Sequence, residues 1–117
     1  MAFPNLYNIN YYRGDTYQFN IYPQNANNQV FSLAGYEAEF TIAEARSTTT
    51  GAKTAFAAIS NNNDFLQCTI SATLGATLDP AISYVYDVQI SKGSGASKVV
   101  YTLMTGTLTV TADVTAV

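Results

Sequence analysis

Along most of this chain apolar residues alternate with polar ones, the period of two expected of strands with one buried face. The clearest run lies between Pro80 and Ser91. Tyr84, Tyr86, Val88 and Ile90 fall on one face, and Ser83, Val85, Asp87 and Gln89 on the other. Leu78-Asp79-Pro80 stops whatever precedes this run, and Gly93-Ser94-Gly95 turns the chain after it. The pattern predicts a central strand around which a small β-sandwich is built.

The same reading places the other elements. Leu6 to Tyr12 alternates loosely and predicts a first, edge strand, preceded by Pro4, which limits pairing. Arg13-Gly14-Asp15 makes a tight turn into Thr16 to Tyr22, where Tyr17, Phe19 and Ile21 share a face. Pro23 to Ser32 is polar and turn-rich, a loop or wide hairpin connection. Tyr36 to Ala43 sets Tyr36, Ala38, Phe40 and Ile42 against Glu37, Glu39 and Thr41. Ser47 to Lys53 reads as a protruding loop, and Thr54 to Ser60 as a strand diluted by alanine. After the turn Asn61 to Asp64, Phe65 to Ser71 puts Leu66, Cys68 and Ile70 on one side. Leu74 and Leu78, four apart behind a capping Ser71, predict a short helical turn within 72–78.

The last strand, Lys98 to Val110, changes phase. Its apolar positions are Val99, Tyr101 and Leu103, then Leu108 and Val110, which predicts a β-bulge or break at Thr105-Gly106. The tail from Thr111 to Val117 pairs with a neighbour or lies free. About seven strands with turns every eight to twelve residues is the pattern of an all-β, immunoglobulin-like antiparallel sandwich, with an open barrel as the other all-β solution.

At 117 residues the chain is the size of one domain, read as a single sandwich with an N-terminal arm of about residues 1–6. Charged residues make up 11% and the net charge is −3, so no basic surface is present to neutralise phosphates, and nucleic-acid binding is not expected. Nine tyrosines and six phenylalanines supply apolar bulk. A weakly charged surface rich in Tyr and Asn strips few charges of water when it docks on another protein, although it is also simply the exterior of a β-domain. No run approaches the length of a membrane span, and the N-terminus lacks the pattern of a secretion signal, so a soluble chain is expected.

Candidate chemistry is sparse. The single cysteine, Cys68, sits in the alternating run as a small core hydrophobe, and the chain has no histidine, which removes the commonest general base and metal ligand. Arg13-Gly14-Asp15 has the form of an adhesion triplet, but strands on both sides make it a short turn. Glu37 and Glu39 share one strand face, whereas a glycosidase needs its two carboxylates across a cleft. Tyr7, Tyr11, Tyr12 and Tyr22 could stack on sugars or fill core and interface. Asp87, if buried, needs a partner, for which Arg13 and Arg46 are the candidates, and Tyr84 stands where sandwich domains place a corner tyrosine. No catalytic residue, metal ligand or cofactor is expected.

The order of Arg13-Gly14-Asp15-Thr16-Tyr17-Gln18-Phe19, Leu33-Ala34-Gly35-Tyr36 with Arg46 beyond it, Leu78-Asp79-Pro80, Tyr84-Val85-Tyr86-Asp87-Val88-Gln89 and Gly106-Thr107-Leu108-Thr109-Val110 with Asp113-Val114-Thr115 resembles small immunoglobulin-like virion proteins of tailed bacteriophages. The resemblance covers nearly the whole chain. It is similar to N-terminal domains of upper baseplate proteins and to single-domain capsid decoration or cement proteins. The resemblance implies a non-enzymatic structural protein of the virion, assembled in the host cytoplasm, with the major capsid protein or tail and baseplate proteins as partners and self-association as a further possibility. A chain that stops at Val117 fits the decoration role better than a baseplate protein that continues into a stalk. The expected contacts are loops and edges: Phe3, Pro4, Leu6 and Tyr7 in the N-terminal arm, then Asn25, Asn27 and Asn28, then Thr49 and Lys53.

Overall fold

The computed structural model describes residues 5–24, 27, 29, 31–44 and 54–112. Eight strand segments run in chain order: β1 (Asn5–Leu6), β2 (Ile9–Tyr12), β3 (Tyr17–Ile21), β4 (Glu37–Ala43), β5 (Thr54–Asn61), β6 (Leu66–Ile70), β7 (Ser83–Lys92) and β8 (Val99–Thr111). One short helix, α1 (Ala72–Gly75), lies between β6 and β7, and a 3-10 turn (Gly95–Ser97) joins β7 to β8. The strands form one continuous path, β1-β8-β7-β4-β5-β6-β3, with β2 also on β8. Because β1 and β2 share one edge of β8 in one register, Asn5 opposite Met104 and Ile9 opposite Leu108, the path has seven strand positions.

The path becomes two layers at β5. Its first half, Thr54 to Ala57, pairs with β4, and its second half, Ala58 to Asn61, pairs with β6. One layer therefore holds β1, β2, β8, β7, β4 and the start of β5, and the other holds the end of β5, β6 and β3. This strand order is that of an immunoglobulin-like sandwich. All pairings are antiparallel except those of β1 and β2, which run parallel to β8, so the expected purely antiparallel sheet is mixed. The cause is the turn at Arg13 to Asp15. It sends the chain to the opposite layer, so the first strand has no hairpin partner to run against.

The alternation places the core. Tyr84, Tyr86, Val88 and Ile90 of β7 are all buried, in one core with Leu66, Cys68 and Ile70 of β6, Phe40 and Ile42 of β4, and Ile9 and Tyr11 of β2. Through this core runs a row of aromatic rings: Tyr11 to Tyr17 at 6.4 Å, Tyr17 to Phe19 at 5.8 Å, Phe19 to Phe40 at 5.6 Å and Phe40 to Tyr86 at 5.7 Å. These spacings and tilted geometries suit the ring quadrupoles, so the row ties both layers together.

The corner at the entry to β7 forms as expected. The Asp79 backbone N–H donates to the Tyr84 hydroxyl at 2.8 Å, and the Asp79 carboxylate accepts from the Ala81 N–H at 2.9 Å. Ser71 caps α1 by accepting the Leu74 N–H at 3.1 Å, and Gly75 is buried where a Cβ would collide with the Tyr11 hydroxyl. The helix itself stops at Gly75, and its helical turning continues only through the bonds of Thr77 to Leu74 and Leu78 to Gly75.

The phase change in β8 is real but lies elsewhere. Val88 faces Met104 and Gln89 faces Thr102, so the bulge is at Leu103 and not at Thr105-Gly106. Gly106 serves another purpose: a Cβ there would run into the Tyr7 carbonyl. Val99, expected on the core face, is 39% exposed, because the half-buried Phe31 covers Tyr101 and nothing in the described residues buries the position beyond it.

Candidate docking edge

The outermost strand of the larger layer is built on a single junction. Between β1 and β2 the ladder is interrupted at Tyr7 and Asn8. The Tyr7 N–H donates to the Thr105 carbonyl at 2.9 Å, keeping β1 in register. The Tyr7 carbonyl turns inward and accepts the Tyr86 hydroxyl at 2.6 Å. The Thr107 N–H then takes the Asn8 side-chain oxygen at 3.1 Å. A buried tyrosine hydroxyl needs such a partner, and only a glycine at 106 lets the Tyr7 backbone come close enough to supply it. Burial and a hydrogen bond with the Tyr7 hydroxyl push the Tyr17 hydroxyl up to about 12, so the same residue also ties the edge to β3.

This clamp fixes the backbone and leaves side chains outside. Leu6 is 75% exposed and Tyr7 47%. Both were expected as contact residues and the structure sets them side by side at one sheet edge. Asn27 is exposed, while Phe3, Pro4, Asn25, Asn28, Thr49 and Lys53 lie outside the described residues, as does Arg46.

The chemistry weighed from sequence finds these places. Arg13-Gly14-Asp15 is a closed turn, with the Asp15 N–H bonded to the Tyr12 carbonyl at 3.1 Å, Gly14 buried at φ +86° and Arg13 half-buried. The Tyr11 hydroxyl donates to the Asp15 carbonyl, which holds the triplet against the body. Burial raises the Tyr11 hydroxyl above its ordinary value. Tyr12 ends β2 in one layer and Tyr22 follows β3 in the other, and both are exposed on different strands, with no stacking contact between them among the described residues. Tyr22 instead packs on Phe65 at 5.2 Å.

Glu37 and Glu39 line a shallow pocket of about 160 Å³ with Gln89, Ser91, Lys98 and Val100. They project from the same side of one strand and do not face each other across it. Burial pushes the Cys68 thiol up to about 12, which keeps it protonated and a poor nucleophile near neutral pH. Among the described residues no group of three or more His, Cys, Asp or Glu side chains is placed to hold a metal ion. Asp87 is half-buried and accepts the Thr105 hydroxyl at 2.6 Å. Arg13 stands beside Thr111, some 20 Å along β8 from Thr105, too far to serve as its partner.

The strand expected from Lys98 to Val110 forms as β8, but the exposure of its first residues was not foreseen. Val100 is 48% exposed beside Val99, on a stretch of strand edge to which no described strand is paired. Its signal was the run Val99-Val100, which breaks the alternation by placing an apolar residue on the outer face. No helix among the described residues is long and apolar enough to cross a membrane. No protein-family model matches the chain, and no curated protein matches it.

Proposed function

We propose that this chain is a structural, non-enzymatic protein of a tailed-bacteriophage particle that binds the outer shell as a decoration or cement protein, with the major capsid protein as its partner. The observation that carries the reading is the pairing of a rigid backbone with unburied apolar side chains at Leu6 and Tyr7. Two internal hydrogen bonds and a glycine hold this edge in place, yet its most apolar side chain faces water. A side chain displayed on a preorganised strand loses little entropy when it docks. The resemblance of the turn and core motifs to phage immunoglobulin-like proteins supports the particle as the setting, and the low charge supports docking on a protein shell.

Purified particles test this. Quantitative mass spectrometry is expected to find the protein in tens to hundreds of copies, and a few copies per particle would move it to the tail or baseplate. Leu6→Asp should lower occupancy on the shell by roughly tenfold or more, the scale of one anchor residue in an interface, while the isolated protein melts as before. Full occupancy with Leu6→Asp would show that this edge is not the anchor.

A further inference from the structure

The first strand carries its most exposed apolar residues on one face. Leu6 stands opposite Thr105 and Tyr12 opposite Thr111, six residues apart on both strands, so the break at Tyr7 and Asn8 inserts no residue and the alternation survives it. Ile9 and Tyr11 point into the core, which sends Leu6, Asn10 and Tyr12 to the outer face of the larger layer. Tyr12 is 57% exposed. Its backbone is as fixed as that of Leu6: the Tyr12 carbonyl accepts the Asp15 N–H at 3.1 Å, and the next residue, Arg13, donates its N–H to the Thr111 carbonyl at 2.9 Å. The two side chains therefore stand about 20 Å apart at the ends of one row.

What lies between them carries no charge. In the middle of the row Asn10 stands beside Thr109 of β8, and Thr109 beside Ser83 of β7, all three exposed. The Asn10 and Thr109 side chains make no hydrogen bond among the described residues, so their polar groups are open to a partner's. One step nearer Leu6, Thr107 stands beside Val85. The nearest carboxylate on this face, that of Asp87, already accepts the Thr105 hydroxyl at 2.6 Å. We propose that this outer face, with Leu6 at one end and Tyr12 at the other, is the surface laid on the shell, and that Tyr12 is its second anchor. The proposal rests on the shell-binding reading above and extends the Leu6 edge without interruption across β2, β8 and β7. Hydroxyls, amides and two apolar anchors gain nothing from charge on the partner, and a partner's charge buried here would be left unpaired. The matching surface is therefore an uncharged stretch of the shell protein, with polar groups for the middle of the face and apolar sockets for its two ends.

Occupancy on purified particles, read by quantitative mass spectrometry, tests the face. Tyr12→Thr keeps a strand-forming residue and removes the ring, and should lower occupancy roughly tenfold. Thr109→Lys puts an unpaired cation at the centre of the contact and should lower it at least as far. Gln18→Lys, exposed on the opposite layer, should leave it unchanged, and all three variants should melt as the wild type does. Retention of the wild-type protein should not fall when sodium chloride is raised roughly tenfold from about 0.1 M, since the face has no ion pair to screen. Full occupancy of both Tyr12→Thr and Thr109→Lys, with Leu6→Asp still depleted, would overturn the proposed face and leave the Leu6 edge standing. Equal depletion by Gln18→Lys, or release of the wild-type protein by salt, would also overturn it. Full occupancy of every variant, Leu6→Asp included, would overturn the shell-binding reading as well.

Discussion

The two halves of β8 belong to one strand, pair with the same neighbour on one side, and differ entirely on the other. From Met104 to Thr111 the outer edge is closed by β1 and β2, and from Val99 to Leu103 no described strand covers it. In the closed half the side chains alternate cleanly, with Gly106, Leu108 and Val110 buried and Thr107, Thr109 and Thr111 exposed. In the open half the alternation fails, and Val99 and Val100 are both exposed. The bulge at Leu103 divides the two. A single residue out of phase thus separates a stretch closed by β1 and β2 from one that no described strand covers.

Substitutions in the closed half sharpen that contrast. The largest effect is expected from Gly106→Ala. The added carbon would collide with the Tyr7 carbonyl in a strand interior, so either β1 leaves the sheet or β8 shifts. A loss of about 3 kcal/mol is expected, measurable by denaturant unfolding, at the upper end of what overpacking costs. Stability within 0.5 kcal/mol or so of wild type would show that the close approach is not needed.

A smaller effect is expected from Tyr86→Phe. It keeps the ring beside Phe40 and removes only the hydroxyl that the Tyr7 carbonyl accepts. The loss should be about 1–2 kcal/mol, because the carbonyl is left with one bond fewer in a partly buried place. Since both changes act on one contact, the double variant should lose less than the sum of the two singles. Strict additivity would mean that Gly106 and Tyr86 act on different contacts.

Much of this architecture is legible in the sequence, and the legible part is local. The faces of β3, β4, β6 and β7 follow from period-two alternation because each of these strands has one side against the core. The Tyr84 corner follows from Asp79-Pro80, and the Ser71 cap from its position before Ala72. What was not legible depends on partners distant in sequence. The switch of β5 between layers is decided by β4 and β6, and its alanines give no sign of it. The parallel direction of β1 and β2 is a consequence of where β8 ends up. Thr105-Gly106 looked like the site of the bulge because glycine commonly marks one, but that glycine is required by a carbonyl nearly a hundred residues earlier in the chain. At the candidate edge, Leu6 and Tyr7 were legible as apolar residues with nothing local to bury them. The open edge at Val99 to Leu103 was not, since alternation alone placed Val99 in the core.

Amide hydrogen exchange followed residue by residue tests the division of β8 most directly. In dilute solution the amides of Thr107 and Thr109, which face the first strand, should be protected, while those of Val100 and Thr102 exchange nearly as fast as in an unstructured peptide. Protection of Val100 and Thr102 in dilute solution, equal to that of Thr107 and Thr109, would show that the edge is covered within one chain and contradict the account.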